Sequence, residues 1–428
     1  MQSNYKPIGD YIQLVDERNK ELKVTRLLGL SISKEFIRSV ANTVGTDMRN
    51  YKIIRKNQFA CSTMQVRRDR KMPVALLTDF DEAIISQAYP IFEIRDETQL
   101  LPEYLMMWFS RAEFDRQAEF LAVGGVRGTL EWEDFLAMEL PIPSIEKQQE
   151  IVKEYNVVKN RIALNEQINQ NLEETAQALY NHWFVDFEFP VTKESQPDLV
   201  SGSQPVGYKS AGGKMVFNEE LDREVPKGWE VRKLEWFSAM IKRGITPKYT
   251  ERNGISVINQ RCIRNNTVDL EISRQHNLDL RKVPKEKILK KSDILINSTG
   301  TGTLGRVALI KEIRRPTTVD THVTIVRPSD QIGKLYLWYN LSSRTEEIEY
   351  LGKGSTGQTE LSREDLGDIL LLEPDIQLQL KFENNVFHFV DKTLYIDVMK
   401  SRLLELQSLL LSKMATVESE KNEPILKN

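Results

Sequence analysis

The chain has 428 residues, 40% of them hydrophobic and 28% charged, with a net charge of −3; this is the balance of a globular protein of two to three domains, not of a disordered one. It contains no run of about 18 apolar residues, which argues against a membrane span, and no basic-then-apolar leader at its start. Cys61 and Cys262 are the only cysteines and lie far apart, which excludes a disulfide framework or a cysteine zinc site and points to a reducing, cytoplasmic compartment.

The first globular region, 1–143, is polarised in charge. Arg18 to Lys71 holds 14 Lys/Arg against 4 Asp/Glu, and Met72 to Pro143 holds 4 against 14. A strand is expected over Ala83–Ile94 and a helix over Pro102–Phe120. Pro141 and Pro143 then block helix, and Ser144 can cap a new one. From there Ile151, Tyr155, Val158, Ile162, Leu172, Ala176, Leu179 and Trp183 recur at alternating fours and threes, a heptad seam. A helix from Ser144 to about Phe187 would be roughly 65 Å long within a segment, 144–189, that acts as a spacer. Asn165 and Asn169 fall on its seam, where a polar residue fixes register.

Residues 190–226 hold four prolines with Ser and Gly and read as a connector. The second globular region, 227–374, repeats the charge polarity: 20 basic against 9 acidic residues up to Arg315, then 5 against 10. Strands are expected at Asp293–Asn297 and Val323–Val326, and a helix over Gly333–Leu351. A second long helix follows from Asp375 to about Met414, in a segment 375–415 before a tail, 416–428. Its seam is Phe382, Val386, Phe389, Thr393, Ile396, Leu403, Leu410 and Met414. Pairing the two long helices antiparallel, chiefly through Ile151, Tyr155, Val158, Ile162, Leu172, Leu179, Phe389, Ile396, Leu403 and Leu410, would bury both seams.

The chain is an internal repeat. Sliding 130–183 by 231 positions places Leu130 on Leu361, Glu133-Asp134 on Glu364-Asp365, Pro143 on Pro374, Gln148 on Gln379, Leu172 on Leu403 and Leu179 on Leu410. Upstream, Val74-Ala75-Leu76 matches Val307-Ala308-Leu309. The fold class is therefore α+β, two globular domains in tandem separated by two long helices that pair as an antiparallel coiled coil.

One segment imitates a cofactor site. Gly300-Thr301-Gly302-Thr303-Leu304-Gly305 has GxGxxG spacing, with Asp320 after it. A dinucleotide fold needs a helix directly after those glycines; here both flanks read as strands, so a hairpin is expected instead. There is no (Asp/Asn)-Pro-Pro-(Tyr/Phe) methyltransferase motif, Walker A loop, HExxH or GxSxG. His182, His276, His322 and His388 lack ligand spacing, and no metal or cofactor is expected on this chain. Two basic segments without an active site fit either a binder of phosphates or ordinary clustering of surface charge.

At Leu140-Pro-Ile-Pro-Ser-Ile-Glu-Lys-Gln-Gln-Glu-Ile151 and Leu179-Tyr-Asn-His-Trp-Phe-Val-Asp-Phe-Glu-Phe-Pro190 the chain resembles the central conserved region of type I restriction-modification specificity subunits. Val225-Pro-Lys-Gly-Trp-Glu-Val231, Ile296 to Val307 and Gly354 to Ser362 resemble that family's second target-recognition domain. The first domain lacks the Gly-Trp opening and the glycine hairpin. The resemblance implies a non-catalytic subunit whose two domains each read half of a split double-stranded DNA target. It also implies that the helices serve as a ruler and dock two modification subunits, which bring S-adenosylmethionine and methylate adenine N6, and that restriction subunits join for cleavage. Cations suit phosphates, and amide or guanidinium forks suit base edges. The candidate contacts are then Arg243, Thr246, Lys248, Asn259, Gln260, Arg261, Ser298, Thr299, Thr301, Arg306 and Gln358 in the second unit. In the first they are Thr63, Gln65, Arg67, Arg68, Arg70 and Arg127. The competing readings are a protein-only coiled-coil scaffold and a nicotinamide-dependent oxidoreductase.

Overall fold

A computed structural model describes residues 5–39, 45–124, 128–191, 207–354 and 359–416. The chain divides into two units: Met1–Glu166 with Val398–Asn428, and Gln167–Asp397. Each unit has a sheet-rich head and owns part of each long helix. Among the described residues, no helix is long and apolar enough to cross a membrane.

In the first unit the head is built on an antiparallel sheet of Ile12–Val15, Ile91–Ile94, Phe59–Cys61 and Val74–Leu76, in that spatial order. Phe59 and Phe92 stack at 4.9 Å on one face of it, and Phe109, Phe114 and Phe135 complete a buried aromatic core. Such rings each contribute about 1.5–3 kcal/mol on leaving water. The short pair Tyr5–Pro7 and Glu139–Pro141 closes the head just before the first long helix.

The second unit repeats this plan. Ser238–Arg243, Val323–Pro328, Ile294–Asn297 and Val307–Leu309 form an antiparallel sheet. In chain order both sheets run first strand, last, second, third, so the repeat read from the sequence is also a repeat of topology. Ile294–Asn297 is buried at every position, as expected of a strand covered on both faces. A second four-stranded sheet adds the parallel pair Ile255–Ile258 and Thr317–Val319.

The long helices span Ile145–Phe184 and Ile376–Lys413, each a little shorter than expected. Within the first unit their segments pair through Gln407, which donates to the Tyr155 hydroxyl at 3.1 Å, and through the Lys400–Glu166 ion pair. Val158 and Ile162 are buried, while Ile151 and Tyr155 pack on the head's core. Within the second unit Asn169 donates to Asp397 at 2.7 Å. Ala176, Phe382, Val386, Thr393 and Ile396 are buried there, and Leu179 and Phe389 pack against the core. Rising numbers on one helix meet falling numbers on the other, so the pairing is antiparallel in both units. Leu172, Leu403 and Leu410 are half-buried.

Gln148 and Gln379, superposed by the 231 shift, do the same work. Gln148 accepts the Leu101 amide at 2.9 Å and donates to the carbonyls of Gln99 and Pro143. Gln379 accepts the Gly333 amide at 2.7 Å and donates to the Pro374 carbonyl. Each pins a head helix to the first turn of a long helix by occupying an amide that would otherwise be buried unpaired.

Three expectations need correction. Ala83–Ile94 is two strands, Glu82–Ile85 and Ile91–Ile94, with different partners; a turn at Ser86–Tyr89 precedes Pro90, which has no amide to give a ladder. Pro102–Phe120 breaks into Pro102–Phe109 and Ala112–Leu121 because Arg111 is extended, φ −74° and ψ 141°, with its guanidinium 4.1 Å over the Trp108 ring. Gly333–Leu351 breaks likewise into Lys334–Ser342 and Thr345–Tyr350, where Arg344 turns aside to bond the Leu370 carbonyl at 2.8 Å. The connector contains an ordered hairpin, Met215–Asn218 with Arg223–Pro226. Phe189, which precedes it, stacks on Tyr208 at 4.6 Å.

Candidate nucleic-acid interface

In the second unit, the turn between the strands Ile294–Asn297 and Val307–Leu309 is the hairpin expected. Gly300, Gly302 and Gly305 have φ of 102°, 70° and 82°, a region that favours glycine. At Gly305 a Cβ would also meet the Thr345 carbonyl oxygen at 2.8 Å. No helix follows, so the nicotinamide reading fails on the geometry it requires.

This turn is tied to a second loop. Asn259 caps the short helix Gln260–Cys262 by accepting the Arg261 amide at 2.9 Å. The Asn297 side-chain Nδ2 donates to the Gln260 backbone carbonyl at 3.0 Å, and the Thr299 hydroxyl to the Gln260 side chain at 3.0 Å. Arg306 spans both loops, bonding the carbonyls of Gly302 at 2.7 Å and Ile263 at 3.3 Å. Arg261 and Thr301 remain exposed on the resulting platform. Thr299 also bonds His322 Nδ1 at 2.7 Å. His322 is exposed and has no ligand spacing in the sequence that would single it out; its place depends on the buried Asp320, which accepts the His322 amide at 2.9 Å. Burial raises the Asp320 carboxyl above its usual range.

A third loop carries Thr246 and Lys248, both exposed. His276 is fully buried beneath it. Its Nδ1 accepts the Lys248 amide at 2.8 Å, so the ring proton sits on Nε2 and is donated to the Arg281 carbonyl at 2.7 Å. Arg281 in turn donates to the Thr246 carbonyl at 3.3 Å. Two candidates are less available than expected. Ser298 is fully buried, its hydroxyl 2.5 Å from that of Thr324. Arg243 is half-buried and engaged by Glu360 and by the Leu361 carbonyl at 2.5 Å. Gln358 lies outside the described residues.

The first unit places its candidates in the same slot, between Phe59–Cys61 and Val74–Leu76. The Leu130 amide donates to the Thr63 carbonyl at 2.9 Å, just as Leu361 donates to Ser298 at 2.9 Å. In place of glycines the loop uses a short helix, Val66–Asp69, bracketed by Gln65 and Arg70 in left-handed conformations, φ 65° and 52°. Arg67, Arg68 and Arg70 are exposed from it. Arg67 bonds the Gly124 carbonyl at 3.2 Å, Arg68 grips Asp69 at 2.6 Å, and Arg70 lies 3.8 Å from Glu119. Such exposed pairs hold little energy in water. Arg127 lies outside the described residues.

Among the described residues no group of three or more His, Cys, Asp or Glu could hold a metal. Both cysteines are buried, and burial pushes both thiols up, away from the reactive thiolate.

The family model described as the type I restriction modification DNA specificity domain matches residues 72–174 and 226–380. The specificity subunit of the type I restriction enzyme HindI from Haemophilus influenzae is 25% identical, over 86% of this chain and 87% of that protein. The MjaIX specificity subunit of Methanocaldococcus jannaschii is 24% identical, over 74% of this chain and 68% of that protein. Among solved structures, the S subunit of a type I restriction-modification system from M. genitalium shares the fold, with a TM-score of 0.54 at 16% identity over 97% of this chain and 96% of that one.

Proposed function

Because this chain belongs to the type I restriction modification DNA specificity family, and so serves as a sequence-specific DNA-binding subunit, we propose that each of its two heads reads one half of a bipartite target. The observation that carries this is the repeated slot. Both heads place exposed cationic or hydroxyl side chains on the loop joining the second and third strands of the same sheet. In the first head they are Arg67, Arg68 and Arg70; in the second they are Thr301 and the neighbouring Arg261, with Lys248 and Thr246 on a further loop. Lysine and arginine supply phosphate affinity without sequence information, while amide and guanidinium forks read base edges. Gln260 and Arg306 shape the platform that Arg261 and Thr301 occupy.

The chain acts without chemistry of its own. Its long helices set the number of base pairs between the half-targets and dock two modification subunits, which carry S-adenosylmethionine and transfer its methyl group to adenine; restriction subunits complete the cleaving complex. Exchanging residues 1–143 for the equivalent head of a relative, within the assembled methyltransferase, tests the assignment. Methylation mapping is expected to show one changed half-target and one unchanged. A simultaneous change in both would overturn it.

A further inference from the structure

A cavity of about 550 Å³ in the second head lies beside the recognition loops and is dominated by cations. Lys242 and Arg243 reach it from the end of the strand Ser238–Arg243, Lys287 from the turn Lys285–Lys287, and Arg363 from the short helix Arg363–Gly367. Against these four stand two carboxylates, Glu360 and Glu364. Lys242 has a partner in Glu286, at 3.7 Å with both side chains about half exposed, a distance and setting that hold little energy in water.

Several donors in this cavity are under-used. Arg243 spends its two terminal nitrogens on Glu360 and the Leu361 carbonyl, but its Nε is buried and finds no acceptor among the described residues. Lys287 gives one proton to the Gly244 carbonyl at 2.7 Å, leaving two of its three donors for another acceptor. Burial, then the neighbouring Arg363, holds Arg243 below its usual range. Burial also lowers Lys287, with Lys242, Arg281 and Arg363 adding like-charge repulsion. A cluster that repels itself is relieved by an anion with several acceptor oxygens.

The position says which anion. Gly244 follows Arg243 directly and leads into the loop of Thr246 and Lys248. Its backbone is pressed so close to the Val319 carbonyl that a Cβ would sit 2.0 Å from that oxygen. The cavity and the recognition loop are therefore joined by one tightly packed residue. Among the described residues the first head shows no matching cationic cluster: its strand Ile12–Val15 runs on into Asp16 and Glu17, and Asp16 faces Lys52 and Arg18 at 3.6 and 3.0 Å.

We propose that the cavity formed by Lys242, Arg243, Lys287 and Arg363 is a seat for a backbone phosphate of the DNA half-target bound by the second head. Glu360 yields Arg243 to the phosphate as the DNA arrives. The seat anchors the second head without reading sequence, and the described residues of the first head form no such anchor. This rests on the DNA-reading role proposed above.

The test uses the complete chain with its modification subunits, as wild type and as the Lys242→Gln/Arg363→Gln variant, whose two altered side chains are about half exposed and unneeded for packing. Binding to a target duplex and to a random duplex is measured between 50 and 200 mM salt. Each phosphate neutralised contributes about 0.9 to the slope of log affinity against log salt. The variant is expected to lose about one unit of slope and to weaken severalfold on both duplexes, with its methylated sequence unchanged. A slope equal to wild type, or a changed methylated sequence, overturns the phosphate seat. Lys287→Gln alone is expected to shift the slope the same way, so a folding defect peculiar to the double variant does not hide the result. Wild-type binding that ignores both salt and sequence would instead sink the DNA-reading role itself.

Discussion

In the second unit Lys311 leaves the end of a sheet strand and reaches the long helices, bonding Glu173 at 2.7 Å and the Thr393 hydroxyl at 3.0 Å. Its side chain is only 9% exposed. Nearby, Asn340 donates to the Tyr180 hydroxyl at 2.7 Å, and Tyr180, Phe184, Tyr336, Tyr339 and Phe382 interlock. In the first unit the residue two beyond the matched Val-Ala-Leu is Thr78, and it lines a cavity of about 900 Å³ with Tyr155, Ile162, Glu166 and Gln407. Where the helices of the second unit offer Glu173 and Thr393, the 231 shift gives Leu404 and Ile162. One repeat is bolted to its helices by a charged, aromatic joint; the other keeps an open groove at the same corner. Duplication preserved the sheet order and the glutamine clamp but not this joint.

The largest test of that difference compares residues at the same repeat position. Phe382 is fully buried in the second core, and its image Ile151 is half-buried against the first. Phe382→Ala is expected to cost about 4 kcal/mol and Ile151→Ala about 2, from lost transfer energy and the cavity left behind. Denaturant titration reads both. Equal costs would mean that the two joints are energetically alike despite their different side chains.

The shared features were open to reading in the sequence, and the joint was not. Gln148 and Gln379 align without a gap, and the heptad seam runs through Val158, Ile162 and Ile396, which are buried, because a long periodic helix advertises its buried face locally. The glycine turn was recognisable as a hairpin because strand-like flanks exclude the helix a phosphate loop needs. Lys311 carries no such signal: its acid lies 138 residues away and nothing in Leu309-Ile310-Lys311 says that the ammonium will be buried. Ser298 differs in the opposite sense. A hydroxyl beside glycines looks like a contact, yet Thr324, from the neighbouring strand, claims it. The breaks at Arg111 and Arg344 carry no signal either, since an arginine that is buried, like Arg111, or half-buried, like Arg344, reads in a helical pattern as an exposed one.

A smaller effect isolates the charge. Removing one partner of a buried ion pair costs about 3–5 kcal/mol when the other is left buried and uncompensated. Glu173 is 27% exposed and Lys311 retains the Thr393 hydroxyl, so Glu173→Ala should cost less, about 2 kcal/mol. Its counterpart Leu404 is exposed, and Leu404→Ala should fall within about 0.5 kcal/mol of wild type. Thermal or denaturant unfolding measures the pair. A Leu404→Ala loss as large as that of Glu173→Ala would show that the first unit has an equivalent joint.

The smallest expected change comes from trying to rebuild the joint where it is missing. Thr78→Lys places an ammonium at the position Lys311 occupies in the other repeat, in a groove that already contains Glu166. Glu166 is more than half exposed and already paired with Lys400, so the new cation competes for a solvated acid and gains little from it. Lysine also gives up rotamer freedom on being ordered, about 1.5–2 kcal/mol if fully fixed. In the second unit that loss is offset because Lys311 is almost fully enclosed, meets two acceptors, and lies 5.8 Å from the Trp338 ring centroid. The first groove is open, and at the positions matching Glu173 and Thr393 it has the apolar Leu404 and Ile162. Thr78→Lys should therefore stabilise the chain by less than about 0.5 kcal/mol or not at all, read as a shift in the denaturation midpoint at unchanged slope. A gain of about 2 kcal/mol, matching the loss on Glu173→Ala, would show that one side chain is enough to make the joint. The aromatic packing around Tyr180 and Phe382 would then contribute nothing to holding the lysine in place.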